Sequence, residues 1–96
     1  MAEIVGGRKV VAAAGTAEPL VAGSTKASHI VIQAETNNTG VICVGDSSVD
    51  ETQASRNGIA LNAGDSFSTP CDDINDIYID ASVTGDGVTY FYKIGK

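Results

Sequence analysis

The chain holds one histidine, His29, and two cysteines, Cys43 and Cys71, so nucleophilic or metal chemistry has few residues to draw on. A serine nucleophile needs a base within hydrogen-bond reach. Ser28 precedes His29 directly, and neighbouring side chains of a strand leave from opposite faces, so the two cannot pair. No Gly-x-Ser-x-Gly elbow occurs. Gly6-Gly7 runs into Arg8 without the Lys-Ser/Thr of a phosphate-binding loop or a helix behind it, and reads as a hinge. Two isolated cysteines and one histidine do not make a closed set of zinc ligands.

Calcium has more to work with. The stretches "GDSSVDE" (residues 45–51) and "CDDINDIYID" (71–80) cluster hard oxygen ligands. Neither follows the EF-hand spacing, which places Gly sixth and Glu twelfth. Asp72, Asp73 and Asp76 read instead as turn and cap residues ahead of Ile77. Paired carboxylates for glycoside hydrolysis would want a sugar-lined cleft, and Trp is absent. The residues therefore predict no catalytic site, no cofactor and no resident metal. Asn37-Asn38-Thr39 matches the glycosylation pattern but reads as a turn without a secretory route.

The elements that position these groups are strands. No helical stripe of useful length is present, and alternation of apolar and polar residues recurs between Gly, Asn, Asp and Ser clusters. Strands are predicted over 9–13, 19–22, 27–35, 41–45, 59–62, 66–69, 77–81 and 88–94. In the clearest, "ASHIVIQAE" (27–35), Ser28, Ile30, Ile32 and Ala34 share one face and His29, Val31 and Gln33 the other. Ile77, Ile79 and Ala81 face away from Tyr78 and Asp80 in the same manner. The apolar content of 30–32 and 41–44 marks central strands. "TNNTG" (36–40) carries hairpin-turn residues and predicts an antiparallel return into 41–45, while "NAGD" (62–65) and "TGDG" (84–87) mark further turns.

Eight or so short strands at this spacing predict an all-β fold, an antiparallel β-sandwich of jelly-roll type. Residues 1–11 read as a flexible N-terminal arm and 12–96 as a single domain. Between two of the strands lies a polar run, residues 46–58, with Val49 and Ala54 as its small apolar breaks. A loop that long is a working surface or a missed element. It reads as a crossover between sheets and a contact loop for a neighbouring subunit, with Val49 as apolar foot and Arg56 as its lone base.

Charge narrows the partners. Of the net −6, residues 1–45 contribute nothing, with three acids against three bases. Residues 46–86 hold nine acids against Arg56 alone. Such a field repels phosphates, so nucleic acid and anionic membranes are not expected partners. No signal-like segment is visible, and no run approaches the ~20 apolar residues of a membrane span. The protein is expected to be made in a cytoplasm with Cys43 and Cys71 reduced. An aliphatic core on 96 residues is small, and association with other copies is a common remedy.

The order "VICVGDSSVD…NGIALNAGDSFSTP…INDIYIDASVTGDGVTYFY" resembles the small β-sandwich virion proteins of tailed bacteriophages. There a strand ending in "VGD" precedes a polar loop and a "GI-x-L-x-AGD/E" turn. A "D-x-IY(I/V)-x-A" strand and a "G-x-x-V-x-Y" hairpin follow. The corresponding stretches here are 44–46, 58–65, 76–81 and 85–90, within a resemblance covering 27–92. It implies a non-enzymatic capsid cement (decoration) protein, or a small tail or neck component. Such a protein works as an oligomer, with a trimer favoured, in the virion after synthesis in the host cytoplasm. Its expected partner is the major capsid protein or another virion protein. No binding motif is shared, so the candidate interface residues come from this chain's own arm and loop: Ile4, Val5, Arg8, Val49 and Arg56. A carbohydrate-binding sandwich is the competing expectation and requires Tyr78, Tyr90 and Tyr92 on an exposed platform.

Overall fold

Alternation translates directly into strands wherever one face is apolar. The computed structural model describes residues 3–94. Its strands are β1 (Glu3–Val10), β2 (Glu18–Pro19), β3 (His29–Ala34), β4 (Ile42–Gly45), β5 (Ile59–Leu61), β6 (Ser66–Pro70), β7 (Tyr78–Ala81) and β8 (Gly87–Ile94). In β3 the burial follows the sequence pattern: Ile30, Ile32 and Ala34 are buried, and His29 and Gln33 are exposed. Single 3₁₀ turns at Gln53–Ser55 and Ile74–Asp76 interrupt the loops.

The strands form two four-stranded antiparallel sheets, β1-β8-β3-β6 and β2-β7-β4-β5. The pairs β1:β8, β2:β7, β3:β6 and β4:β5 nest inside one another like the rungs of a single long hairpin. Rolling that hairpin up adds the pairs β3:β8 and β4:β7. The result is the order of a jelly-roll sandwich, as the sequence predicts. β3 and β4 are both central, as their apolar content requires.

Two expectations about connections are corrected. "TNNTG" does not return β3 onto β4: β3 lies in the first sheet and β4 in the second, so residues 36–40 cross the sandwich. "NAGD" and "TGDG" also carry the chain between sheets. The polar run 46–58 is the opposite case. It joins β4 to β5 within one sheet and forms the tip of the rolled hairpin, not a crossover. The residues of "TNNTG" turn the chain tightly, but the partners of the next strand decide the sheet. Here Asp86, on the 84–87 loop, accepts the amides of Gly40 (2.8 Å) and Thr39. Asn38 exchanges side-chain hydrogen bonds with the Gly87 backbone at 2.9 and 3.0 Å.

The N-terminal arm is corrected as well. Residues 3–10 are β1, paired with β8 from Glu3↔Ile94 to Val10↔Gly87. Gly7 is not a hinge, because a Cβ there would lie 2.5 Å from the Tyr90 hydroxyl. The glycine makes room for that ring. Lys9 and Glu18 form an ion pair at 3.0 Å, and Glu18 also accepts the amides of Ala12 and Ala13, which fixes the exit from β1.

The core between the sheets is aliphatic. Val11, Ile30, Ile32, Ile42, Ile79 and Val88 are fully buried at its centre. Each such side chain contributes about 1.5–3 kcal/mol when withdrawn from water. Tyr90 and Tyr92 pack against this cluster from the inner side of β8, their rings stacked at 6.1 Å.

Candidate functional site

The five residues expected at an interface separate into two groups. Ile4, Val5 and Arg8 belong to β1, which is an edge strand with one side unpaired in the sheet. Ile4 is 65% exposed, and Val5 is half-buried. Arg8 reaches past β8 to Glu35, and its Nη2 donates to Glu35 Oε1 at 3.1 Å. The edge is flanked by Phe91, which is 46% exposed and has Gly6 and Val31 as cross-strand neighbours. A long strand edge beside exposed apolar side chains is a template for another chain.

Val49 and Arg56 are committed within the molecule. Val49 is 5% exposed and packs between Gly45 and Gly58, so it is a foot planted in its own chain and offers little to a neighbour. Arg56 donates through Nε and Nη2 to the Glu51 carbonyl at 3.2 and 3.0 Å. The rest of the 46–58 loop is knitted in the same way. Asp46 accepts the amide and hydroxyl of Ser48, and the hydroxyl bond chiefly holds its carboxyl below the usual range. Asp50 accepts the Thr52 amide and the Ser55 hydroxyl, which lower its carboxyl likewise. Asp50 and Asn57 exchange backbone hydrogen bonds at 3.0 Å.

This self-bonded loop lies over the outer face of the second sheet. Cys43 and Asp80 are cross-strand neighbours there, on β4 and β7. Strand alternation points both away from the core, yet Cys43 is fully buried and Asp80 is 1% exposed. Burial pushes the Cys43 thiol up, and the nearby Asp80, Glu51 and Asp50 add to the rise against the opposing pull of Arg56. Cys71 is also a free thiol, raised mainly by burial, and it packs against the core side. The two cysteines face different layers and form no bridge.

The Glu51 amide donates to Asp80 Oδ2 at 3.0 Å. Asp80 Oδ1 is buried and has no hydrogen-bond partner among the described residues. Asp50, Glu51 and Asp80 each present a carboxylate oxygen, and these oxygens all lie within 4.8 Å of one another. The three acids fall within the two acidic stretches, 45–51 and 71–80, that the sequence marks for hard oxygen ligands. Spacing does not show that the stretches meet, because Asp80 is about thirty positions from its partners and alternation marks it as solvated.

Other surfaces are simpler. His29 is exposed on β3 opposite Lys93 and Pro70, with no serine or carboxylate across from it. Tyr90 and Tyr92 face inward while Tyr78 sits on the other sheet, so the three tyrosines do not form one platform. An open groove of about 540 Å³ has Ile59, Phe67 and Ile77 in its lining and Asp46, Asp72 and Asp76 around them. No helix among the described residues is long and apolar enough to cross a membrane. Comparison with protein-family models and with curated proteins finds no match for the chain.

Proposed function

We propose that the protein is a structural component of a tailed-bacteriophage virion, a capsid cement protein that binds the outer head lattice as a trimer. The observation that supports this reading most is the free edge of β1. Eight residues long, it is bordered by the exposed side chains of Ile4 and Phe91 on a jelly-roll sandwich. Jelly rolls recur in viral shells because closed double sheets offer stable, flat-sided bodies for lattices. Fold alone does not assign function. The order of the strand and turn motifs from residue 27 to 92, which resembles phage virion proteins, supplies the rest. In this reading the β1 edge and Phe91 join copies to one another, and the acidic half faces outward.

The test is direct. Purified protein is measured by light scattering across a dilution series and then sedimented with expanded capsids that lack it. Saturable co-sedimentation of an oligomer is the expected result, with Phe91→Asp shifting the oligomer toward monomer at least tenfold. A concentration-independent monomer that stays in the supernatant would overturn the proposal. Antibody label on the tail of intact virions would move the protein to a tail or neck position.

A further inference from the structure

We propose that Asp50, Glu51 and Asp80 form a binding site for a hard divalent cation, calcium by the carboxylate set and its tolerance of irregular geometry, which fastens the 46–58 loop to β7. A carboxylate withdrawn from water needs its oxygens satisfied, and an unmatched buried charge is strongly unfavourable. Asp80 is 1% exposed, and its Oδ2 has the Glu51 amide while Oδ1 has nothing among the described residues. A single amide is a weak counterpart for a buried anion.

The neighbours sharpen the problem. Asp50 and Glu51 bring two more carboxylates to the same spot, with ligand oxygens within 4.8 Å of each other and of Asp80. Like charges at that separation repel. Arg56 is the one base of the loop, but its guanidinium donates to the Glu51 carbonyl and makes no ion pair with the three acids among the described residues. No ion pair among the described residues involves any of the three acids. Three carboxylates thus face one guanidinium, and the cluster lacks a full countercharge.

A cation supplies it. Calcium binds oxygens at about 2.3–2.6 Å, so two ligands on opposite sides of one ion lie about 4.6–5.2 Å apart. Three oxygens that all lie within 4.8 Å of one another can therefore reach a single such ion. Magnesium at about 2.0–2.1 Å demands a tighter, octahedral set. Three carboxylates leave room for water in a shell of six to eight oxygens. Two ligands come from the loop and one from β7, so occupancy would pin the tip of the rolled hairpin to the sheet beneath it. This inference is independent of the virion proposal.

The experiment is thermal unfolding of the full chain in EDTA, in about 5 mM calcium chloride, in magnesium chloride, and in sodium chloride of matched ionic strength. Calcium should raise the midpoint saturably, with half the effect at about 10⁻⁴–10⁻³ M, and the other salts should do markedly less. Asp80→Asn should abolish the calcium response. Glu51→Gln, a half-exposed position, should weaken it at least fivefold and serves if the first variant does not fold. Calorimetric titration of calcium chloride into the EDTA-treated, desalted protein should show one site. A midpoint indifferent to calcium, a sodium or magnesium response of equal size, or a full response retained in the variants would overturn the proposal.

Discussion

Gly58 and Val49 are in direct apposition: a Cβ built on Gly58 would sit 2.8 Å from Val49 Cγ2 and 2.7 Å from the Val44 carbonyl oxygen. Gly58 also has φ of +116°, a region that L side chains rarely enter. The loop thus closes on its apolar foot at a position that tolerates no side chain. Gly58→Ala is expected to destabilise the protein by about 2 kcal/mol, through both backbone strain and displacement of Val49. Gly23→Ala, where a Cβ meets nothing within 4 Å, is the control and should change stability by less than about 0.5 kcal/mol. Urea midpoints measure both.

Asp86 holds the 36–40 and 84–87 loops together at the opposite end of the sandwich. It is 6% exposed and accepts the amides of Thr39 and Gly40. Asp86→Ala leaves those donors without a partner, and a loss of about 2–3 kcal/mol is expected. Asp86→Asn keeps one acceptor oxygen and should lose less. Equal stability of the alanine variant and the parent would show that water replaces the carboxylate freely.

Asp73 makes the fold sensitive to acid. Its carboxyl is lowered to about 2, first by the Ser24 hydroxyl, then by the amides of Thr25 and Asn75, with Lys26 adding a smaller pull. A carboxyl held below its unfolded value of about 3.9 stabilises the fold fully above that pH. The contribution then fades as pH falls toward 2. The urea midpoint of the parent should drop across that window. Asp73→Asn should be less stable at pH 7 and should show a flatter dependence between pH 4 and 2.

Strand positions and facing were legible in the sequence because each rests on nearby residues. The run from Ile30 to Ala34 shows its buried face by alternation alone. Connections were not legible in that way. Asn, Gly and Asp in "TNNTG" specify that the chain bends, whereas the sheet it enters depends on Asp86 and Gly87, nearly fifty residues away. Gly6 and Gly7 read as flexible until Tyr90 is placed across the strand. The two acidic stretches were visible in the sequence, but their convergence was hidden for a related reason. Alternation correctly sends Asp80 away from the core, but burial there is created by a loop folding back over the sheet's outer side.

The nesting of strand pairs also sets an order of closure. Val44 meets Ile59, Ile32 meets Phe67, Glu18 meets Ile79 and Gly6 meets Phe91, with the intervening chain longer at every step. Entropy opposes each longer closure more strongly unless the inner pairs have already drawn the ends together. The favoured route zips from the tip outward and ends with β1, so the strand edge left open to other chains is completed last, after synthesis has delivered β8.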